Sequence, residues 1–127
     1  MAQTSFEEKF RPYIEKDLQG EQVAGLDHIG RTLARAKKFG PALSADMEVL
    51  IPGAMLHDIG VVSDKKNHYI KGKERAAEIL ESVDYPGDKI QNVLHVIETH
   101  SRYGGIPPET VEARIMRGID AIDYVGA

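Results

Sequence analysis

The chain has no cysteine and no tryptophan. Without thiols there are no disulfides, no thiolate zinc site and no cysteine nucleophile, so any metal must be held by His, Asp and Glu. No apolar run approaches the roughly 20 residues that a bilayer-spanning helix needs. The opening eight residues, MAQTSFEE, lack the basic then apolar order of a secretory signal. A cytoplasmic protein without membrane contact is the expectation. Positive charge is also short, with 16 Lys and Arg against 20 Asp and Glu. Binding a long nucleic acid rests on a basic face that displaces counterions, so the expected partner is a small molecule. No stretch alternates convincingly with period two, and there is no internal repeat or low-complexity tract. Strands and solenoids are thereby set aside.

What remains is helical patterning in 127 residues, 42% of them apolar, enough for one domain with one core. Phe6, Phe10, Tyr13, Ile14 and Leu18 recur at three- and four-residue steps, and Pro12 suits a helix that begins near Arg11. A second helix runs from about Gly25 to Phe39, stopped by Gly40-Pro41, with Leu26, Ile29, Leu33 and Ala36 as its apolar stripe. Ser44 suits an N-cap for the third helix, which is apolar on most sides from Met47 to Leu56 and therefore central. Pro52-Gly53 inside it predicts a kink or a late start. A fourth helix is expected from Asn67 to Ser82. A fifth follows the turn Tyr85-Pro86-Gly87-Asp88 and runs to about His100, and a last one begins near Pro108-Glu109-Thr110. Val111, Ile115, Met116, Ile119 and Ile122 are its expected apolar side. The fold class is all-α, a compact irregular bundle of five or six helices. Residues 1–20 form a packing helix, and 21–127 form the core domain.

The third helix delivers the densest chemistry, Leu56-His57-Asp58-Ile59-Gly60. A neutral imidazole nitrogen and a carboxylate oxygen side by side are mixed ligands for a divalent first-row metal. His28 lies one position off the stripe of the second helix, where a boundary role is more usual than ligation. His68 opens the fourth helix. The series Ile90, Val93, Ile97, His100 puts His100 on a core-facing stripe, whereas His95 falls on another face. Asp120 neighbours the apolar stripe of the last helix, a position that calls for a metal or an arginine as partner.

Three stretches, Leu26-Asp27-His28-Ile29-Gly30-Arg31-Thr32, Leu56 to Gly60, and Glu112 to Asp123, resemble the motifs of the HD-domain superfamily of metal-dependent phosphohydrolases. The likeness spans roughly residues 21 to 127. It implies that His28, His57, Asp58 and Asp120 bind a first ion. His68 and His100 match the extra histidines of a two-metal subgroup in which Asp58 bridges the ions. One or two divalent ions are expected, of Mn, Fe, Ni, Co, Zn or Mg. The implied reaction is attack of a metal-activated water on a phosphomonoester or phosphodiester of a small nucleotide-like metabolite. Lys65, Lys66, Lys71 and Arg102 are the candidates for binding phosphate charge, Lys71 also offsetting charge in the transition state, and Asp64 and Glu98 are candidates for proton transfer. Two alternatives belong to other classes: an HD-type di-iron oxygenase that cleaves a carbon bond, and a binding module without turnover. The sequence runs only seven residues past Asp120, which favours an open site and a homodimer that covers it.

Overall fold

The structure is a computed structural model. It describes residues 5–17, 26–57, 59, 68–100 and 106–126, excepting the side chains at 26, 68–71, 120 and 123–126. Among the described residues six helices follow one another: α1 (Phe6–Asp17), α2 (Leu26–Ala42), α3 (Met47–Leu56), α4 (His68–Ser82), α5 (Gly87–Thr99) and α6 (Val111–Gly126). No strand occurs among the described residues, so the all-α class holds.

The centre is α3. From Val49 to Leu56 every residue except Ile51 is buried, and the helix packs against α1, α2, α5 and α6. A helix apolar all round is stable only when others wrap it. The helix is continuous through Pro52-Gly53, so it does not start late. Gly53 is explained instead by close packing, because a Cβ there would lie 2.6 Å from Val96 Cγ1 of α5. Gly40 plays the same part in α2, where a Cβ would lie 2.6 Å from Met47 Sδ and 2.8 Å from Leu50 Cδ2. It is therefore a contact point of the α2–α3 pair and not a stop signal, and α2 continues to Ala42.

The helix ends are set by specific hydrogen bonds. Ser44 does not cap α3. It closes α2 in the left-handed region at φ 59°, with Ser44 N–H donating to Pro41 O (3.2 Å) and Ala45 N–H to Gly40 O (2.9 Å). The same paired bonds end α4, where Asp84 has φ 57° and Tyr85 N–H reaches Leu80 O at 2.9 Å. Such closures satisfy the last carbonyls and turn the chain sharply. Asp46 is the true N-cap of α3, its side chain accepting from Glu48 N at 3.0 Å. Ser5 caps α1 by accepting from Glu8 N at 3.3 Å. The helix thus begins five residues before the expected start at Arg11, with Pro12 inside it. Thr110 accepts from Ala113 N at 3.1 Å, which places the start of α6 slightly later than its proline suggests. On α6, Ala113, Ile115, Met116 and Ile119 are buried, but Val111 and Ile122 are exposed. Those two stand three turns apart on one face, pointing away from Ala113 and Met116.

The N-terminal helix is held by Phe6, Phe10 and Tyr85, whose rings meet at 4.6 to 6.3 Å, and by ion pairs from Glu7 to Lys37 (2.9 Å) and from Asp17 to Arg75 (2.6 Å). The Tyr85 hydroxyl donates to the Glu48 carbonyl. Burial, with the charges of Glu48 and Asp46, pushes its pKa up to about 12 from an ordinary 10.0. The protonated phenol is favoured in the folded chain. Its stabilisation is complete below pH 10 and is lost as pH rises toward about 12. The melting temperature should fall across that window, and Tyr85→Phe, which cannot ionise, should flatten the fall. An equal slope in both proteins would refute this account.

Candidate metal centre

Three imidazoles converge where α2 begins and where α3 and α5 end. His28, His57 and His100 are all buried, none more than 2% exposed. Isolated imidazoles are rarely hidden so completely unless bonded. His57 is the residue after α3, so its Nδ1 reaches back to Ala54 O at 2.8 Å. His100 ends α5 in the same way, with Nδ1 2.6 Å from Ile97 O. A carbonyl only accepts, so each Nδ1 carries the hydrogen, and in the neutral ring each Nε2 bears a lone pair. This is the tautomer that metal-binding histidines adopt when a backbone carbonyl orients them.

His28 Nε2 and His57 Nε2 stand 3.0 Å apart, and the ring centres are 5.1 Å apart. Two imidazole nitrogens at about 2.1 Å from one divalent ion, at right angles to each other, would be separated by about 3.0 Å. The observed spacing fits shared ligation. It also fits one proton held between the two nitrogens. The His100 ring lies 5.0 Å from that of His57, nearly perpendicular to it. Among the described residues, no group of three or more His, Asp or Glu side chains is arranged to hold an ion. The described residues here supply imidazole nitrogens.

Of the other expected ligands, Asp58 lies outside the described residues, and His68 and Asp120 are placed by backbone only, as the first residue of α4 and within α6. Asp64, Lys65, Lys66 and Arg102 also lie outside the described residues, and Lys71 is placed only by its position in α4. Glu98 is well defined. One carboxylate oxygen accepts from Lys73 Nζ at 2.8 Å, and the other faces His95 Nδ1 at 3.4 Å. Burial pushes the Glu98 pKa up, but the hydrogen bond and charge of Lys73, aided by His95, outweigh it and the net shift is downward. Glu98 is therefore an ionised acceptor. His95 Nε2 in turn accepts the backbone N–H of Glu109 at 3.0 Å. The i, i+3 spacing of His95 and Glu98 marks them as neighbours in the sequence, but nothing there points to Lys73 or to the Glu109 amide.

Known proteins bear on this arrangement. Residues 25–125 match the family model of the HD domain. The chain belongs to the HD domain family. Its HD domain is 31% identical over 100 residues to Ribonuclease Y of Acidothermus cellulolyticus, a match covering 76% of this chain and 18% of that protein. The chain thus spans less than a fifth of the length of this curated relative. The fold is shared with the crystal structure of a predicted HD superfamily hydrolase from an uncultured Thermotogales bacterium. There the TM-score is 0.78 and the identity 20%, over 95% of this chain and 69% of the other. At that identity the likeness concerns the fold. The HD superfamily is one of metal-dependent phosphohydrolases, and His28 and His57 fall within the matched span. No helix among the described residues is long and apolar enough to cross a membrane.

Proposed function

We propose that this HD domain is a metal-dependent phosphohydrolase that cleaves a phosphomonoester or phosphodiester of a small nucleotide-like metabolite. The observation that carries this reading is the buried pair of facing Nε2 atoms, His28 and His57. His57 and His100 are anchored through Nδ1, so their rings are already oriented for a metal site. His28, His57, Asp58 and Asp120 would hold a first ion, and His68 and His100, with Asp58 shared, a second. Bound divalent ions lower the pKa of their water toward neutrality and offset charge on phosphoryl oxygens.

The chain's own residues supply the rest. Burial of the three rings excludes bulk water and strengthens every charge interaction inside. Lys65, Lys66, Lys71 and Arg102 are assigned to the phosphate charge, and Asp64 to protonating the leaving oxygen. Glu98, ionised beside Lys73, is a poor proton donor. The likeness to Ribonuclease Y supports including a ribonucleotide phosphodiester among the substrates tested.

The test is anaerobic phosphate release from nitrophenyl monoesters and diesters, a nucleotide panel and a short oligoribonucleotide. Turnover with manganese or cobalt under nitrogen, abolished by a chelator, is the expected result. Iron as purified together with substrate-dependent oxygen uptake would replace this reading with the oxygenase. Failure to bind any metal after reconstitution would leave a helical binding module.

A further inference from the structure

We infer that Lys73, Glu98 and His95 are positioning residues for the second-ion ligands, clamping the first turns of α4 to the last turns of α5. The inference rests on the two-ion form of the function proposed above. The clamp joins three parts of the chain. Lys73 of α4 meets one oxygen of Glu98 at 2.8 Å, the other oxygen of Glu98 faces His95 Nδ1 at 3.4 Å, and His95 Nε2 accepts the Glu109 amide at 3.0 Å. Because Nε2 accepts a backbone N–H, the neutral His95 ring carries its hydrogen on Nδ1, toward the carboxylate.

Its location gives the network its role. Lys73 is five residues past His68, the first residue of α4, and Glu98 is two residues before His100. Ile97, whose carbonyl orients the His100 ring at 2.6 Å, directly precedes Glu98. The Thr99 hydroxyl donates to His95 O at 2.7 Å and tightens the same turn. The ion pair therefore fixes the separation of the two helix ends that carry His68 and His100. The segment leading into α6, which carries Asp120, is tied to the same network through Glu109. His28 and His57 lie on α2 and at the end of α3, and among the described contacts neither belongs to it.

The experiment is titration of the metal-free protein with manganese or cobalt, read by calorimetry, elemental analysis and, for cobalt, visible absorption. Wild type is compared with Glu98→Gln, Lys73→Gln and Lys73→Arg. The wild-type chain should take up two ions. Glu98→Gln and Lys73→Gln should each weaken the second ion about tenfold or more, by analogy with residues that orient ligands, and leave the first within twofold. Lys73→Arg, which keeps the charge, should retain the second. The pair is partly exposed, at 43% and 20%, so folding should change little. Should Glu98→Gln fail to fold, the more exposed Lys73→Gln carries the test. Two ions bound at wild-type affinity in both Gln variants, or both ions weakened alike, would overturn the positioning role while leaving the phosphohydrolase intact. A wild-type chain that binds one ion would overturn the inference and the two-ion reading but not the hydrolase. One that binds none would overturn all three.

Discussion

Replacing His57 with alanine should strip the chain of its metal and lower phosphohydrolase turnover about a thousandfold, the equivalent of about 4 kcal/mol of transition-state stabilisation. The side chain is fully buried, faces His28 at 3.0 Å, and is fixed by the Ala54 carbonyl. Its loss removes a nitrogen donor from the centre of the pocket, where a water cannot reproduce its position. Alanine is a good helix former and the site is at a helix end, so the bundle should survive. Circular dichroism would show an unchanged helical spectrum while elemental analysis shows the ion gone. Leu43→Ala, at an exposed position in the α2–α3 turn, is the matched control and should keep both metal and activity. A His57→Ala protein that retained wild-type metal content and turnover would rule out this pocket as the reaction centre.

Two glycine-to-alanine changes should move stability in opposite directions, with melting temperatures separated by about 10 °C. Gly53 and Gly118 both lie inside helices, where alanine is intrinsically favoured by about 1 kcal/mol. At Gly118 nothing among the described residues lies within 4 Å of the added methyl group, so Gly118→Ala should realise that gain. At Gly53 the methyl group would meet Val96 Cγ1 at 2.6 Å and Cβ at 3.1 Å. Either α3 and α5 separate or Val96 leaves its rotamer, at a net cost of about 1–2 kcal/mol after the propensity gain. For a chain of this length each kcal/mol corresponds to roughly 3–5 °C. Val96→Ala in the Gly53→Ala background should recover part of the loss, a coupling that a double-mutant cycle would register. Additive effects would mean that the two helices are not packed at this point.

The helical class and the central place of α3 were legible in the sequence because they depend on periodicity and on one segment apolar on nearly every face. The glycines were misleading. Gly40-Pro41 reads as a stop and Pro52-Gly53 as a kink or late start, yet both glycines sit inside helices at close approaches to a neighbouring helix. Local propensity cannot register a neighbour that arrives from 43 residues away, as Val96 does at Gly53. Capping was half legible for the same reason. Ser44 and Asp46 are both good N-caps by residue type, and only the backbone shows which one ends α2 and which one starts α3. At the candidate site, the core-facing place of His57 and His100 could be read from spacing, but the burial of His28, one position off its helix stripe, could not. Ring tautomers were beyond reach of the sequence. They depend on carbonyls three residues back, which turn toward the ring only because the helices end there.

The facing imidazoles of His28 and His57 come from two consecutive helices whose connection is residues 43–46 alone. Closing so short a loop costs little chain entropy, and contacts of local origin form before distant ones. The nitrogen pair therefore arises from a single helical hairpin, completed by residue 57 in a chain synthesised from its N-terminus. The other proposed ligand positions, Asp58, His68, His100 and Asp120, follow later in sequence. The spacing of the two nitrogens is thus a property of one four-residue turn and the two helices it joins.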